Sequence, residues 1–243
     1  MISNTPVKLD ALAIAAHRDD IEITCGGLMI KLHDLGYQTG ALDLTEGEMG
    51  TLGDENDRAA EAQCASEIME LSYRDNLSLP DAALEYDRPS RLKIAQVIRD
   101  TKPELVILPF WIQRHPDHLT THKLGFDACF LAGLKKLTEL SGEPHRPRKI
   151  IYCSSFRDVE HSFLVDISAQ KERKDKAVKC YSSQFNQGEA SKQVYAPNQS
   201  IFEYMDVFQR QYGMRAGVEY AEAFTIKEHI LIDDPVKMPV QSI

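Results

Sequence analysis

Short apolar runs, each closed by a polar turn and followed by a helical stretch, recur from the N-terminus of this chain as far as Ser154. Leu9–Ala16, Gln38–Leu44, Leu105–Pro109 and Lys149–Ser154 read as strands, with a shorter one at Arg74–Leu79. Ile21–Leu35, Asn56–Leu71, Arg88–Thr101 and Thr120–Lys136 carry helical spacing between them. The first helix meets Gly36 at its end and the third meets Pro103. Strand–helix alternation predicts an α/β fold: a mostly parallel sheet with helices on both faces. Ile167–Tyr181 reads as a charged helix, Gln184–Ser200 as a loop, Phe202–Tyr212 as a helix stopped by Gly213, and Ala221–Ile226 as a last strand. No linker, repeat or low-complexity stretch divides the chain, so residues 1–243 read as one domain.

Two clusters concentrate the chemistry. His17-Arg18-Asp19-Asp20 closes the first strand, and His115-Pro116-Asp117-His118 follows the run Leu105–Phe110. Ligands in open parallel sheets sit at the carboxyl ends of the strands, so the two loops can meet there. Neutral imidazole and carboxylate suit zinc or a similar divalent ion. Such an ion brings the pKa of a bound water to about 7, and a nearby carboxylate serves as general base. His-x-Asp-Asp alone is weak evidence, since Asp20 also suits the N-terminus of a helix. The rarer His-Pro-Asp-His, also at a strand end, turns the balance toward a metal-dependent hydrolase.

The net charge of −9 argues against nucleic acid and anionic membrane as partners. No run is long enough to cross a bilayer, and no basic segment followed by an apolar one marks a signal peptide. The five cysteines show no paired motif and read as reduced thiols, which makes cytoplasm the expected compartment. Cys25 and Cys64 read as helix packing, and His33, His122, His145, His161 and His229 as surface or structural.

Larger pieces carry a resemblance. Ala16-His17-x-Asp19-Asp20-x-Glu22, Leu44-Thr45-x-Gly47-Glu48-x-Gly50-Thr51, Arg58-x-x-Glu61-Ala62 and Arg114-His115-Pro116-Asp117-His118 resemble the LmbE-like/PIG-L deacetylases. His145-Arg146-Pro147, Ser183-Gln184-Phe185 and Gly217-x-x-Tyr220-x-Glu222-x-Phe224 extend the likeness over nearly the whole chain. The branch it most resembles is the bacillithiol-biosynthesis enzymes that act on N-acetylglucosaminyl malate. The resemblance implies a Rossmann-like fold, one Zn²⁺ per chain with Fe²⁺ or Co²⁺ as substitutes, and removal of an N-acetyl group from a small N-acetylglucosamine (GlcNAc) conjugate. It also implies a homo-oligomer, since close relatives form hexamers.

Transferred by position, the resemblance implies His17, Asp20 and His118 as metal ligands and Asp19 as general base. His115 would polarise the acetyl carbonyl as an imidazolium, oriented or charged by Asp117. Arg58, Arg114 and Arg146 are candidates for binding a substrate carboxylate through paired hydrogen bonds. Glu48 is a candidate for sugar hydroxyls, and Tyr195 lies in a polar loop that can close over a substrate. Arg18 stands where the family usually has proline, so the ring that would fix φ in this turn is missing. Two alternatives stay open: another GlcNAc glycan such as chitobiose as substrate, and a non-catalytic metal- or sugar-binding relative.

Overall fold

The structure, a computed structural model, describes residues 7–50, 52, 54–154, 159–185 and 200–240. Among these residues seven strands form a single sheet: β1 Ala11–Ala15, β2 Thr39–Thr45, β3 Tyr73–Leu79, β4 Leu105–Pro109, β5 Lys149–Cys153, β6 Phe163–Asp166 and β7 Ala221–Thr225. Their order is β3-β2-β1-β4-β5-β7-β6. The first five run parallel, and β7 is antiparallel to both β5 and β6. The helices are α1 Asp20–Asp34, α2 Glu55–Met69, α3 Arg88–Thr101, α4 Pro116–Ala132, α5 Lys171–Lys179, α6 Ser182–Phe185 and α7 Ile201–Ala216.

The residues of β1 alternate between two cores because successive side chains leave opposite faces of a strand. Leu12 and Ile14 pack with Val106, Leu108, Ile94, Ile98 and Leu124 under α3 and α4. Ala13 and Ala15 pack with Ile107, Ile21, Met29 and Ala65 under α1 and α2. Both faces are covered over the centre of the sheet, so β1 and β4 are apolar throughout rather than alternating with polar residues. From β1 the chain winds outward through β2 to β3, then returns to place β4 on the other side of β1. That reversal between β1 and β4 is the switch point at which open α/β sheets form a crevice.

Several elements differ from the sequence reading: α5 is shorter than the predicted Ile167–Tyr181, and α6 has no predicted counterpart. The fourth helix begins at Pro116 rather than Thr120, because His115 caps it: its side chain accepts the Asp117 N–H, and Pro116 takes the first helical position. Helix α7 runs through Gly213 to Ala216, and Gly217 at φ +70° ends it. Gly213 is there for close approach, since a Cβ would lie 2.6 Å from the carbonyl of Glu219. The four-residue edge strand β6 carries too short a pattern to be read from sequence.

Cys64 and Cys180 are joined in a disulfide with Cα atoms 5.9 Å apart, whereas Cys25, Cys129 and Cys153 are buried free thiols. The expectation of five reduced thiols fails for this pair. Its members are 116 residues apart in sequence and meet only when α5 packs on α2. No helix among the described residues is long and apolar enough to cross a membrane.

Candidate active site

The two clusters meet at the switch point. His17 leaves the end of β1, and Asp20 opens α1. His118 lies in the first turn of α4, beyond the end of β4. Their donor atoms form a small triangle. His17 Nδ1 is 3.2 Å from Asp20 Oδ2, His118 Nε2 is 3.1 Å from the same oxygen, and the two nitrogens are 3.3 Å apart. Ligands at about 2.0–2.1 Å from a tetrahedral zinc lie about 3.3 Å from one another. The donor set and spacing therefore fit one divalent ion.

A residue not singled out in the sequence completes the support. Asp81, just past β3, places Oδ1 3.0 Å from His17 Nε2. With an ion bound, this carboxylate would hold the ring with its proton on Nε2 and leave Nδ1 as the ligand. Asp81 is itself held by the N–H groups of Met49 and Ala82. Burial works against its ionisation, yet the hydrogen bond from His17 holds its pKa down at about 2. The one sequence signal for Asp81 is its place after the carboxyl end of a strand, with no histidine neighbour to single it out.

The electrostatics describe a cavity that wants a cation. Burial opposes charge on His17, but Asp117, Asp20 and Asp81 overcome it and push the imidazole up to about 12. Asp20 is buried too, and His118 and His17 together hold it well below the usual carboxylate range. Asp19 moves the other way. Burial raises it, with the adjacent Asp20 adding to the effect, while Arg58 and His17 pull it back.

Arg58 is 5% exposed. Its Nη2 lies 3.6 Å from Asp19 Oδ2, and its Nη1 donates to the carbonyl of Gly47 at 2.8 Å. A Cβ at Gly47 would stand 1.9 Å from Arg58 Nη1 and displace that guanidinium, and the φ of +76° there also favours glycine. Arg58 Nε has no partner among the described residues.

His115 stacks edge-on against His17, with ring centroids 4.9 Å apart. Burial lowers its pKa, and the charges of His17 and His118 lower it further. A neutral ring whose Nδ1 accepts the Asp117 N–H carries its proton on Nε2. The Asp117 backbone orients the ring, while its carboxylate accepts from Ala82 N–H at 2.8 Å and Leu84 N–H at 3.4 Å. Asp117 Oδ2 also approaches His17 Nε2 at 3.7 Å.

The remaining sequence candidates scatter. Arg114 is exposed and adjoins His115 at the rim. Glu48 is exposed and accepts the Asp81 N–H at 2.7 Å, bracing that loop. Arg146 is not brought to the cluster. It stacks on Phe130 and donates to the Phe130 carbonyl near the far end of α4, a helix whose 17 residues span about 25 Å. Tyr195 lies outside the described residues. Arg18 is 8% exposed, and its Nη1 donates to the Glu55 carbonyl at 2.8 Å.

An open α/β sheet with a His/Asp cluster over its switch point defines a class of protein that does its chemistry at the carboxyl edge of the sheet. Known proteins narrow the class. A family model described as GlcNAc-PI de-N-acetylase matches residues 12–129. The diacetylchitobiose deacetylase of Thermococcus kodakarensis is 32% identical over 225 residues, covering 87% of this chain and 80% of that one. A conserved protein of Thermus thermophilus superposes with a TM-score of 0.84 at 38% identity, over 92% of this chain and 97% of its own. The N,N'-diacetylchitobiose deacetylase of Pyrococcus horikoshii shares the fold, with a TM-score of 0.77 at 24% identity over 92% of this chain and 86% of that one. The chain belongs to the PIG-L/LmbE-like deacetylase family. The two of these relatives that carry a named activity are diacetylchitobiose deacetylases rather than the bacillithiol enzymes that the motifs suggest.

Proposed function

We propose that this protein is a metal-dependent N-deacetylase of a small GlcNAc conjugate. The observation that carries the reading is the triangle of His17, Asp20 and His118, with Asp19 beside it and His115 across from it. His17, Asp20 and His118 hold one divalent ion, Zn²⁺ by its donor set, with Fe²⁺ or Co²⁺ able to substitute. When bound, the ion supplies Lewis acidity that acidifies water and polarises the acetyl carbonyl.

The chain's own groups do the rest. Asp19 takes the proton of the attacking water on its carboxylate and delivers it to the amine nitrogen as the C–N bond breaks. Arg58 pulls that carboxylate back toward its ionised form against burial and Asp20. His115 donates from Nε2 to the carbonyl oxygen, where charge develops in the transition state. Asp81 holds His17 in the tautomer the ion requires. A base and an oxyanion donor around one ion favour catalysis over simple metal or sugar binding.

The aglycone is read from the arginines. Malate calls for paired cationic contacts, but Arg146 lies elsewhere and Arg58 serves Asp19, which leaves Arg114 at the rim. A neutral glycan such as diacetylchitobiose asks less of the site and agrees with the relatives. We therefore rank it above N-acetylglucosaminyl malate. The chain also self-associates in this reading, with a hexamer as the family expectation. Ile230, Leu231, Val236 and Val240 are exposed on its C-terminal segment and gain from cover.

Acetate release tests the reading. Diacetylchitobiose, N-acetylglucosaminyl malate and free GlcNAc are compared with and without chelator. Chelator-sensitive release, fastest from diacetylchitobiose, is expected. No release from any of the three would overturn the deacetylase reading, and a preference for the malate conjugate would restore the acidic aglycone.

A further inference from the structure

The turn carrying His17 and Asp19 lacks the proline that would stiffen it, and Arg18 occupies that place. The backbone carbonyl of Arg18 is gripped from two sides. Arg74 Nη2 and the Tyr181 hydroxyl both donate to it.

Both donors are themselves held. The Arg74 guanidinium pairs with Asp43 through Nε at 2.8 Å and Nη2 at 3.1 Å, with Glu22 through Nη1 at 2.6 Å, and with Ser66 Oγ at 3.1 Å. The Tyr181 hydroxyl oxygen also lies 3.0 Å from Glu22 Oε1. The group comes from β2, β3, α1, α2 and the segment after α5, and converges on one peptide oxygen. Glu22, Tyr181 and Ser66 are fully buried, and Asp43 is 1% exposed. The segment bearing Tyr181 is pinned on both sides, by the Cys64–Cys180 bridge before it and by Ser182 and Ser183 donating to Glu61 after it.

Buried ion pairs give little net stability compared with an apolar core of the same volume. What an apolar core cannot do is hold a carbonyl at a fixed angle. We propose that Tyr181 and Arg74 are positioning residues: by clamping the Arg18 carbonyl they fix the turn between His17 and Asp19, doing with two hydrogen bonds what a proline ring at position 18 would do by fixing φ. The catalytic half of this inference rests on the deacetylase reading; the metal-binding half does not.

Tyr181→Phe removes one hydroxyl and leaves the ring in place. Tyr73→Phe is the control. Tyr73 is equally buried, and its hydroxyl meets Asp75 on the other face of the sheet, away from the turn. Zn²⁺ affinity of the full chain is measured by competition with a chromophoric chelator, and kcat and KM by acetate release. Tyr181→Phe should weaken Zn²⁺ about tenfold and lower kcat about tenfold, with KM within about twofold, on the general scale of residues that orient ligands. Tyr73→Phe should move neither beyond about twofold. Zn²⁺ affinity unchanged in Tyr181→Phe, or weakened equally in Tyr73→Phe, would overturn the clamp. If the parent releases no acetate, the deacetylase reading fails, and the Zn²⁺ comparison alone decides the clamp.

Discussion

Asp19 and Asp20 are neighbours in sequence with opposite electrostatics, and this divergence assigns their roles. Asp20 faces two imidazoles and stays ionised. Asp19 faces one guanidinium and is pushed upward by burial and by Asp20. Arg58 is the lever on Asp19. Asp19 must be ionised to act as base, so activity falls as pH drops through its pKa. Arg58 lowers that pKa, so Arg58→Gln should raise it and shift the acidic limb of the kcat/KM profile to higher pH. A limb that stays put or moves to lower pH would remove Asp19 from the base role.

At the scale of elements, α4 does two jobs at its first residues. His115 caps the helix and presents Nε2–H to the site, and substitution can separate the two. His115→Ala should lose both, with a stability cost of about 1 kcal/mol for the missing cap. Asparagine caps well, so His115→Asn should recover most of that stability in urea unfolding while leaving turnover depressed. Recovery of activity together with stability would mean that His115 serves the helix alone. This helix also shows where sequence reading reaches its limit. The strand before it is legible because β4 is buried on both faces and apolar throughout. The helix start reads four residues late, because His-Pro-Asp-His looks like a loop motif and its cap lies inside the motif. The triangle is legible because its members sit at strand ends. Asp81 is not, since Pro80-Asp81 lacks a histidine neighbour to mark it. Arg146 misleads because a local match to the family carries no information about which end of α4 it reaches. The disulfide is hidden by its long separation in sequence.

For the whole molecule, the sheet order explains why two segments about a hundred residues apart build one site. Winding outward through β2 and β3 and returning to β4 brings the ends of β1 and β4 side by side. The same winding leaves the C-terminal segment after β7 on the outside. Residues 227–240 are exposed, and Leu231 and Val236 are 90% and 92% accessible. Light scattering of the full chain should give a mass of several protomers. Replacing Ile230, Leu231 and Val236 together by serine should move it toward the protomer while the circular dichroism stays unchanged. A monomeric parent would contradict self-association.

The central claim is that His17, Asp20 and His118 hold one ion while Asp19 does chemistry beside it. Elemental analysis of three purified proteins tests it most directly. The account predicts one divalent ion per chain in the parent, one in Asp19→Asn and almost none in His118→Ala. Turnover in Asp19→Asn should fall by roughly 10²–10⁴-fold despite its full metal content. Undiminished metal in His118→Ala, or metal lost from Asp19→Asn but kept in His118→Ala, would contradict it.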